Sequence, residues 1–307
     1  MENFMQSPEN QRAKIVRTNK KRFAAITSEH QHEGASPRSI FISGQWEMLH
    51  SNKRPYPDSP KMKIEVINAD SLIVARELMD SVGADAIGKT AVLNLASNSH
   101  PGGGWEALCV AQEEALCYSS TLFYTLMHSA AHYPWPNKGP GSIAGILSPG
   151  VVIFRGPLTE SSPDGNPCPE LARHERRVVS VISVAAPRNP ILTAGGSDFR
   201  KEEDRENVRE KVRFILRLAA MNGQRYLVLG ALGCGAYRCP PKAVAKLMKE
   251  VLFESEFTGW FGKIVFAVYD PPSHRVRDGN YENFRQVFSE SKEKSERRHS
   301  GLRGFWP

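Results

Sequence analysis

The sequence predicts an α/β domain in which helices cover both faces of a mixed, mostly parallel sheet. Three observations carry this. Apolar runs of strand length alternate with helical patterns along most of the chain, the order that builds parallel strands joined by crossover helices. Two glycine-rich stretches, Gly102-Gly103-Gly104 and Gly230 to Gly235, each follow one strand-like run and precede a helical pattern. Ligands of open α/β sheets bind beyond the carboxyl ends of the strands, and both stretches fall at such ends.

Taken in order, residues 1–60 are polar and read as an extension. Arg12, Lys14, Arg17, Lys20, Lys21 and Arg22 form one basic block, and Pro55, Pro57 and Pro60 close the segment with turns. From Lys63 the alternation of Ile64 and Val66 predicts a strand. A short helix follows over Leu72 to Leu78, capped by Asp70 or Ser71. Ala91 to Ala96 has the length and composition of a buried strand and breaks into Asn98-Ser-His-Pro-Gly-Gly-Gly104.

A helix is then predicted from Trp105 to Met127, because Leu108, Ala111, Ala115, Ser119, Leu122 and Leu126 recur at three- and four-residue spacing. After a Pro/Gly-rich connection at 134–141, Gly145 to Phe154 and Val178 to Ala186 predict two further strands. The loop between them, 156–170, is rich in Pro, Ser and Asp, and reads as a lid or an insertion. Glu202 to Met221 is a charged amphipathic helix, Tyr226 to Gly230 a buried strand, and a helix opens at Pro241, a residue suited to a first helical turn. Ile264 to Tyr269 supplies the last strand, and the tail from Ser291 is basic. One domain over 61–290 is expected, flanked by the extension 1–60 and the tail 291–307.

Composition narrows the function classes. The formal charge is +7 and the pI about 9.2, which favours anionic partners. Five cysteines, an odd number, fit a reducing intracellular compartment, and Cys109 and Cys117 fall inside the predicted helix as buried thiols do. The spacings Cys109/Cys117 and Cys234/Cys239 do not match zinc ligands, so no metal site is expected. No signal peptide and no apolar run long enough to span a membrane is evident, so a soluble protein without membrane partners is expected. For the basic block, a nuclear-import signal, a polyanion or nucleic-acid contact and a solvated helix face all fit.

Glycines between a strand and a helix let backbone N–H groups approach a phosphate or sugar, and the helix dipole favours negative charge there. The second loop lacks the G-x-G-x-x-G of a dinucleotide fold, which argues against a Rossmann cofactor. Two such loops on neighbouring strand ends would straddle a pyrophosphate, as in an ADP-ribose-shaped ligand. Gln112-Glu113-Glu114 is placed two helical turns beyond the first loop. Adjacent helical residues point about 100° apart, so the two carboxylates would meet one cleft from different angles and do different jobs. Burial and a neighbouring negative charge both raise a carboxyl pKa, which a general acid at neutral pH requires.

Asn98-x-x-Pro-Gly-Gly-Gly, seven residues, then Gln112-Glu113-Glu114 resembles the signature of the microbial-type poly(ADP-ribose) glycohydrolases. The strand ending at Asp70-Ser71 and the Gly233-Cys234-Gly235-Ala236-Tyr237 loop stand in that family's order, and Ala13 to Thr18 looks like its N-terminal helix. The resemblance implies a macrodomain-like fold with an N-terminal helical extension and no cofactor. Glu114 would be the acid and Glu113 would orient the terminal ribose. Asn98 would contact that ribose, Gly102, Gly103 and Gly104 would shape its pocket beside Gln112, and Gly233 to Ala236 would hold the diphosphate. Asp70 would lie near adenine, and Tyr237 would pack on the ligand or serve the core.

Poly(ADP-ribose), ADP-ribose and poly(ADP-ribosyl)ated proteins are the implied partners, in a nuclear or cytoplasmic setting such as the DNA damage response. Two alternatives remain open at this point. One is a module that binds ADP-ribose without cleaving it, and the other a hydrolase for ADP-ribose on protein or nucleobase.

Overall fold

In a computed structural model describing residues 7–56, 62–159, 166–270 and 279–289, the apolar runs become seven strands of one sheet. They are β1 (Ile40–Ile42), β2 (Lys63–Ile67), β3 (Thr90–Leu95), β4 (Gly145–Ile153), β5 (Arg177–Val184), β6 (Tyr226–Leu229) and β7 (Lys263–Ala267). Their order is β1-β4-β5-β3-β6-β7-β2. The β4 pairings with β1 and β5 are antiparallel, and all others are parallel. Pro57, Pro60, the centre of the 156–170 loop and the basic tail lie outside the described residues.

The helices are α1 (Pro8–Glu29), α2 (Ser71–Val82), α3 (Gln112–Ser119), α4 (Leu122–Leu126), α5 (Glu202–Met221), α6 (Pro241–Leu252) and α7 over 280–289. Apolar residues of α1 to α4 pack on one face of the sheet and those of α5 to α7 on the other, making three layers. Ile15, Val16, Phe23 and Ile26 of α1 are buried. Each such side chain contributes roughly 1.5–3 kcal/mol, so the extension is held on the sheet layer by its own apolar stripe. Asp70 caps α2, accepting from the Leu72 and Ile73 N–H groups. Among the described residues no helix is long and apolar enough to cross a membrane.

The structure differs from these expectations, or adds to them, at several points. The predicted 105–127 helix is instead a single 3-10 turn over Trp105–Ala107, a loop, and then α3 and α4. Leu108, at φ 64°, turns the chain left-handed, and the Cys109 N–H returns to the Gly104 carbonyl, which closes the first turn. At the far end Ser120 is extended and bridges Ile153 of β4, so sheet pairing outcompetes helix continuation. Cys109 is consequently exposed on the loop, and only Cys117 is a buried helical thiol.

The edge strand β1 lies inside the segment read as purely polar extension, and it pairs with Gly145 to Leu147. Three residues are too few for a periodic signal. The helix over 280–289 also lacked a distinct sequence reading. Finally, the 156–170 loop leaves β4 beside Arg177, the first residue of β5. Its attachment is therefore at the opposite end of the sheet from the glycine loops, and its described ends are zipped by Gly156–Pro169 and Thr159–Pro167 bonds. That position fits an insertion and not a lid.

Candidate active site

The three central strands β5, β3 and β6 end together, and the segments leaving them, with the first turn of α3, line a cavity of about 430 Å³. Its walls include Ser97, Gly103, Gly104, Glu113 and Glu114 on one side and Arg188, Gly233, Gly235, Ala236 and Tyr237 on the other. Another hollow at the start of α5, lined by Lys138, Arg200, Lys201 and the acidic Glu202, Glu203 and Asp204, includes neither Glu113 nor Glu114.

Glu113 and Glu114 occupy the first turn of α3, not a position two turns into a helix that opens at the glycine loop. The helix dipole there favours their negative charge. Both are buried, at 3% and 7% exposure, yet their hydrogen bonding differs. Glu113 uses both oxygens: Oε1 accepts from Asn94 Nδ2 at 3.1 Å and Oε2 from the Ser97 N–H at 2.7 Å. Glu114 Oε1 accepts from the Gly104 N–H at 2.7 Å, while its buried Oε2 has no partner among the described residues. An unpaired buried carboxyl oxygen is costly, so this atom needs a ligand or a proton.

Burial is the main cause that pushes the Glu113 carboxyl up to about 8, and the nearby Glu114 charge adds to it, against the Ser97 and Asn94 hydrogen bonds. Protonation preference thus singles out Glu113, whereas the free oxygen belongs to Glu114. The geometry determines which oxygen can deliver a proton to a ligand. Gly103 makes the pair possible. At φ 60° it is left-handed, and a methyl group there would lie 2.5 Å from Glu114 Oε1 and 2.9 Å from Glu113 Oε2.

Gln112 also borders the cavity, with its amide bonded to β3. Its Oε1 accepts from the Leu95 N–H and its Nε2 donates to the Leu93 carbonyl. The β3–β6 ladder ends at Val92, and the Gln112 amide takes the place that the next β6 peptide would occupy, fastening α3 to the strand end.

In the second loop, Gly233 at φ 76° is required because a methyl would lie 2.5 Å from Ala186 Cβ. The N–H groups of Gly235, Ala236 and Tyr237 have no hydrogen-bond partner among the described residues. Arg188 lies over the Tyr237 ring at 5.8 Å.

Other expected site residues sit behind this lining. Asn98 donates to the Trp135 carbonyl at 2.7 Å, and its Oδ1 accepts from Tyr237 and Asn137. It therefore supports the Tyr237 side of the cavity without lining it. Asp70 is committed to capping α2, and burial raises its pKa despite two backbone hydrogen bonds. Gly102 is buried against Phe123 and Cys117, and Cys234 is likewise outside the lining. Among the described residues no group of three or more His, Cys, Asp or Glu is placed to hold a metal ion.

The sequence reading missed Asn94, Ser97 and Arg188. Asn94 alone had a signal, as the one amide within the apolar run Ala91 to Ala96.

Residues 11–156 match a family described as microbial-type PARG, catalytic domain. Comparison with curated proteins gave no match. Among solved structures, a point mutant of poly(ADP-ribose) glycohydrolase from Thermomonospora curvata is 30% identical. That alignment covers 74% of this chain and 79% of that one, with a TM-score of 0.59. The same enzyme bound to the inhibitor ADP-HPD aligns at 24% identity over 91% and 98% of the two chains, TM-score 0.65. Poly(ADP-ribose) glycohydrolase from Deinococcus radiodurans in complex with ADP-ribose is 27% identical over 87% and 97%, TM-score 0.60. With its macrodomain-like sheet and its paired glutamates against a triple-glycine loop, this chain belongs to the microbial-type poly(ADP-ribose) glycohydrolase family.

Proposed function

We propose that the chain hydrolyses the ribose–ribose O-glycosidic bond of poly(ADP-ribose) and releases ADP-ribose, with Glu114 as the acid and base. The observation that carries this is the buried, unpartnered Oε2 of Glu114 beside a cavity that also holds open backbone N–H groups. Glu114 Oε2 donates its proton to the departing 2′-oxygen as the bond to the anomeric carbon breaks and positive charge develops on the sugar. A water then attacks that carbon and returns a proton to Glu114.

The Gly104 N–H holds Oε1 still, so the carboxyl rotates little between the two steps. Glu113, braced by Asn94 and Ser97, positions the ribose hydroxyls. The free N–H groups of Gly235, Ala236 and Tyr237 receive the diphosphate, whose charge stabilises the cationic sugar. The Tyr237 ring, packed under Arg188, lies along the ligand. The complexes of the two related enzymes with ADP-HPD and ADP-ribose support this choice of ligand.

The test is Glu114→Gln, assayed on polymer, on ADP-ribosylated protein and on ADP-ribosylated DNA. ADP-ribose release from polymer is expected to fall by at least about 1,000-fold, with ADP-ribose binding retained. Near-parental turnover by the variant would overturn the acid assignment. Parental activity confined to modified protein or DNA would overturn the substrate.

A further inference from the structure

Between Glu9 and Glu29 the sequence has six cations and no acid. The structure accounts for three of them. Lys20 pairs with Glu106, Arg22 pairs with Glu170, and Arg12 is half-buried beside Tyr118. The other three, Lys14, Arg17 and Lys21, are exposed and have no ion pair among the described residues. Their spacings of three and four residues place them on one face of α1, over roughly 10 Å of helix at 1.5 Å rise per residue. Like charges at these spacings oppose helix formation. A solvated helix face ordinarily mixes signs, whereas this one is of a single sign, and the apolar stripe that holds α1 to the domain is on the opposite side.

The connection of α1 to the segment that holds Glu114 points to an occupant. A general acid protonates the leaving group, so the remainder of the polymer must depart on the Glu114 side. Glu114 is held by Gly104, and two residues further on Glu106 pairs with Lys20 of α1. Lys20 also sits over the Trp105 and Phe123 rings. The rim on the acid's side is thus joined directly to the basic helix. Each further ADP-ribose unit brings one diphosphate, a repeating dianion that a row of cations suits.

Resting on the hydrolase reading above, we propose that the face of α1 formed by Lys14, Arg17 and Lys21 is a track for the outgoing poly(ADP-ribose) chain, binding diphosphates of units beyond the bond being cut.

The experiment compares the full chain with the triple variant Lys14→Gln, Arg17→Gln, Lys21→Gln on two substrates, a two-unit ADP-ribose dimer and long polymer, over a range of salt. These side chains are exposed and repel one another, so an unchanged or slightly raised melting temperature is expected. On the dimer the two proteins should have equal kcat/KM. On long polymer the variant should lose roughly ten-fold in kcat/KM through KM, with kcat intact. The slope of log kcat/KM against log salt should shrink by about 2, at roughly 0.7 per neutralised phosphate on a single strand.

Equal performance on long polymer, or an equal loss on dimer and polymer, would overturn the track. So would a loss of affinity for a single-stranded DNA oligonucleotide with polymer turnover unchanged, which would assign the face to nucleic acid. If the parental chain cleaves neither dimer nor polymer, the hydrolase reading itself has failed, an outcome separate from the others.

Discussion

The Gly104 N–H holds Glu114 Oε1 at 2.7 Å, and this one bond joins the glycine loop to the first turn of the helix that carries both glutamates. Loop and helix are therefore tied together, and the remaining carboxyl oxygen is left for a ligand. The predictions below probe the supports of that arrangement.

Gly103→Ala should disable the site without unfolding the chain. The added methyl would meet both carboxylates and sit at a left-handed φ, which costs about 1–3 kcal/mol. Displacing the glutamates by a fraction of an ångström should reduce kcat by on the order of 100-fold. Steady-state kinetics with a melting curve would check this, and an active variant would show that the close approach is unimportant.

Gln112→Leu should separate anchoring from chemistry. It leaves the Leu93 carbonyl and Leu95 N–H without their partner amide, at about 1–3 kcal/mol for each buried group left unpaired. Denaturant unfolding should show a lower midpoint, and kcat should fall with it because α3 is freed from β3. A variant of full stability would mean that water or β6 replaces the amide.

The raised Glu113 pKa has a definite signature in stability. Below about 4.5 the carboxyl is protonated in both folded and unfolded chains, and this group imposes no penalty. As pH rises from there to about 8, the unfolded chain ionises while the folded one keeps its proton, so stability declines. Above that it is level, with a total on the order of a few kcal/mol. In Glu113→Gln this slope should vanish. The difference in melting temperature between variant and parent should move in the variant's favour across that window, whatever constant offset the altered bonds to Asn94 and Ser97 introduce. Parallel curves would refute the shift.

Asn19 is fully buried and bridges α1 to the site helix. Its Nδ2 donates to the Tyr118 carbonyl at 2.8 Å and its Oδ1 accepts from Arg155 Nε at 2.9 Å. Asn19→Leu should destabilise the chain by about 2–4 kcal/mol, the larger part from the buried guanidinium left short of an acceptor. Because α3 loses a brace and no ligand contact, kcat should drop more than KM rises. A reversed pattern would argue that α1 serves binding alone.

Much of this protein was legible in residue order. The alternation of strand and helix, the span of Glu202 to Met221 and a cap at Asp70 or Ser71 follow from periodicity and local hydrogen bonding, which neighbouring residues settle among themselves. The signature from Asn98 to Glu114 was likewise readable, because its spacing survives whatever the chain does elsewhere. The helix boundary was not. The recurrence of Leu108, Ala111 and Ala115 satisfied a helical period, but the chain at Leu108 and Ser120 answers to Gly104 and to β4, contacts that no local window contains.

By itself, then, the sequence determined which groups are available: two adjacent carboxylates, two glycine loops at strand ends and a basic helix. Tertiary structure alone decided what each is free to do. Asn94 from within a strand and Ser97 from its end occupy both oxygens of Glu113, while Glu114 keeps one open. Asn98 and Asp70 are drawn into bonds with Trp135 and with α2, and the amide of Gln112 replaces a missing strand peptide. The physical reason is that a polar atom's chemistry depends on which partners and how much water reach it, and in this fold those partners come from segments far apart in the chain.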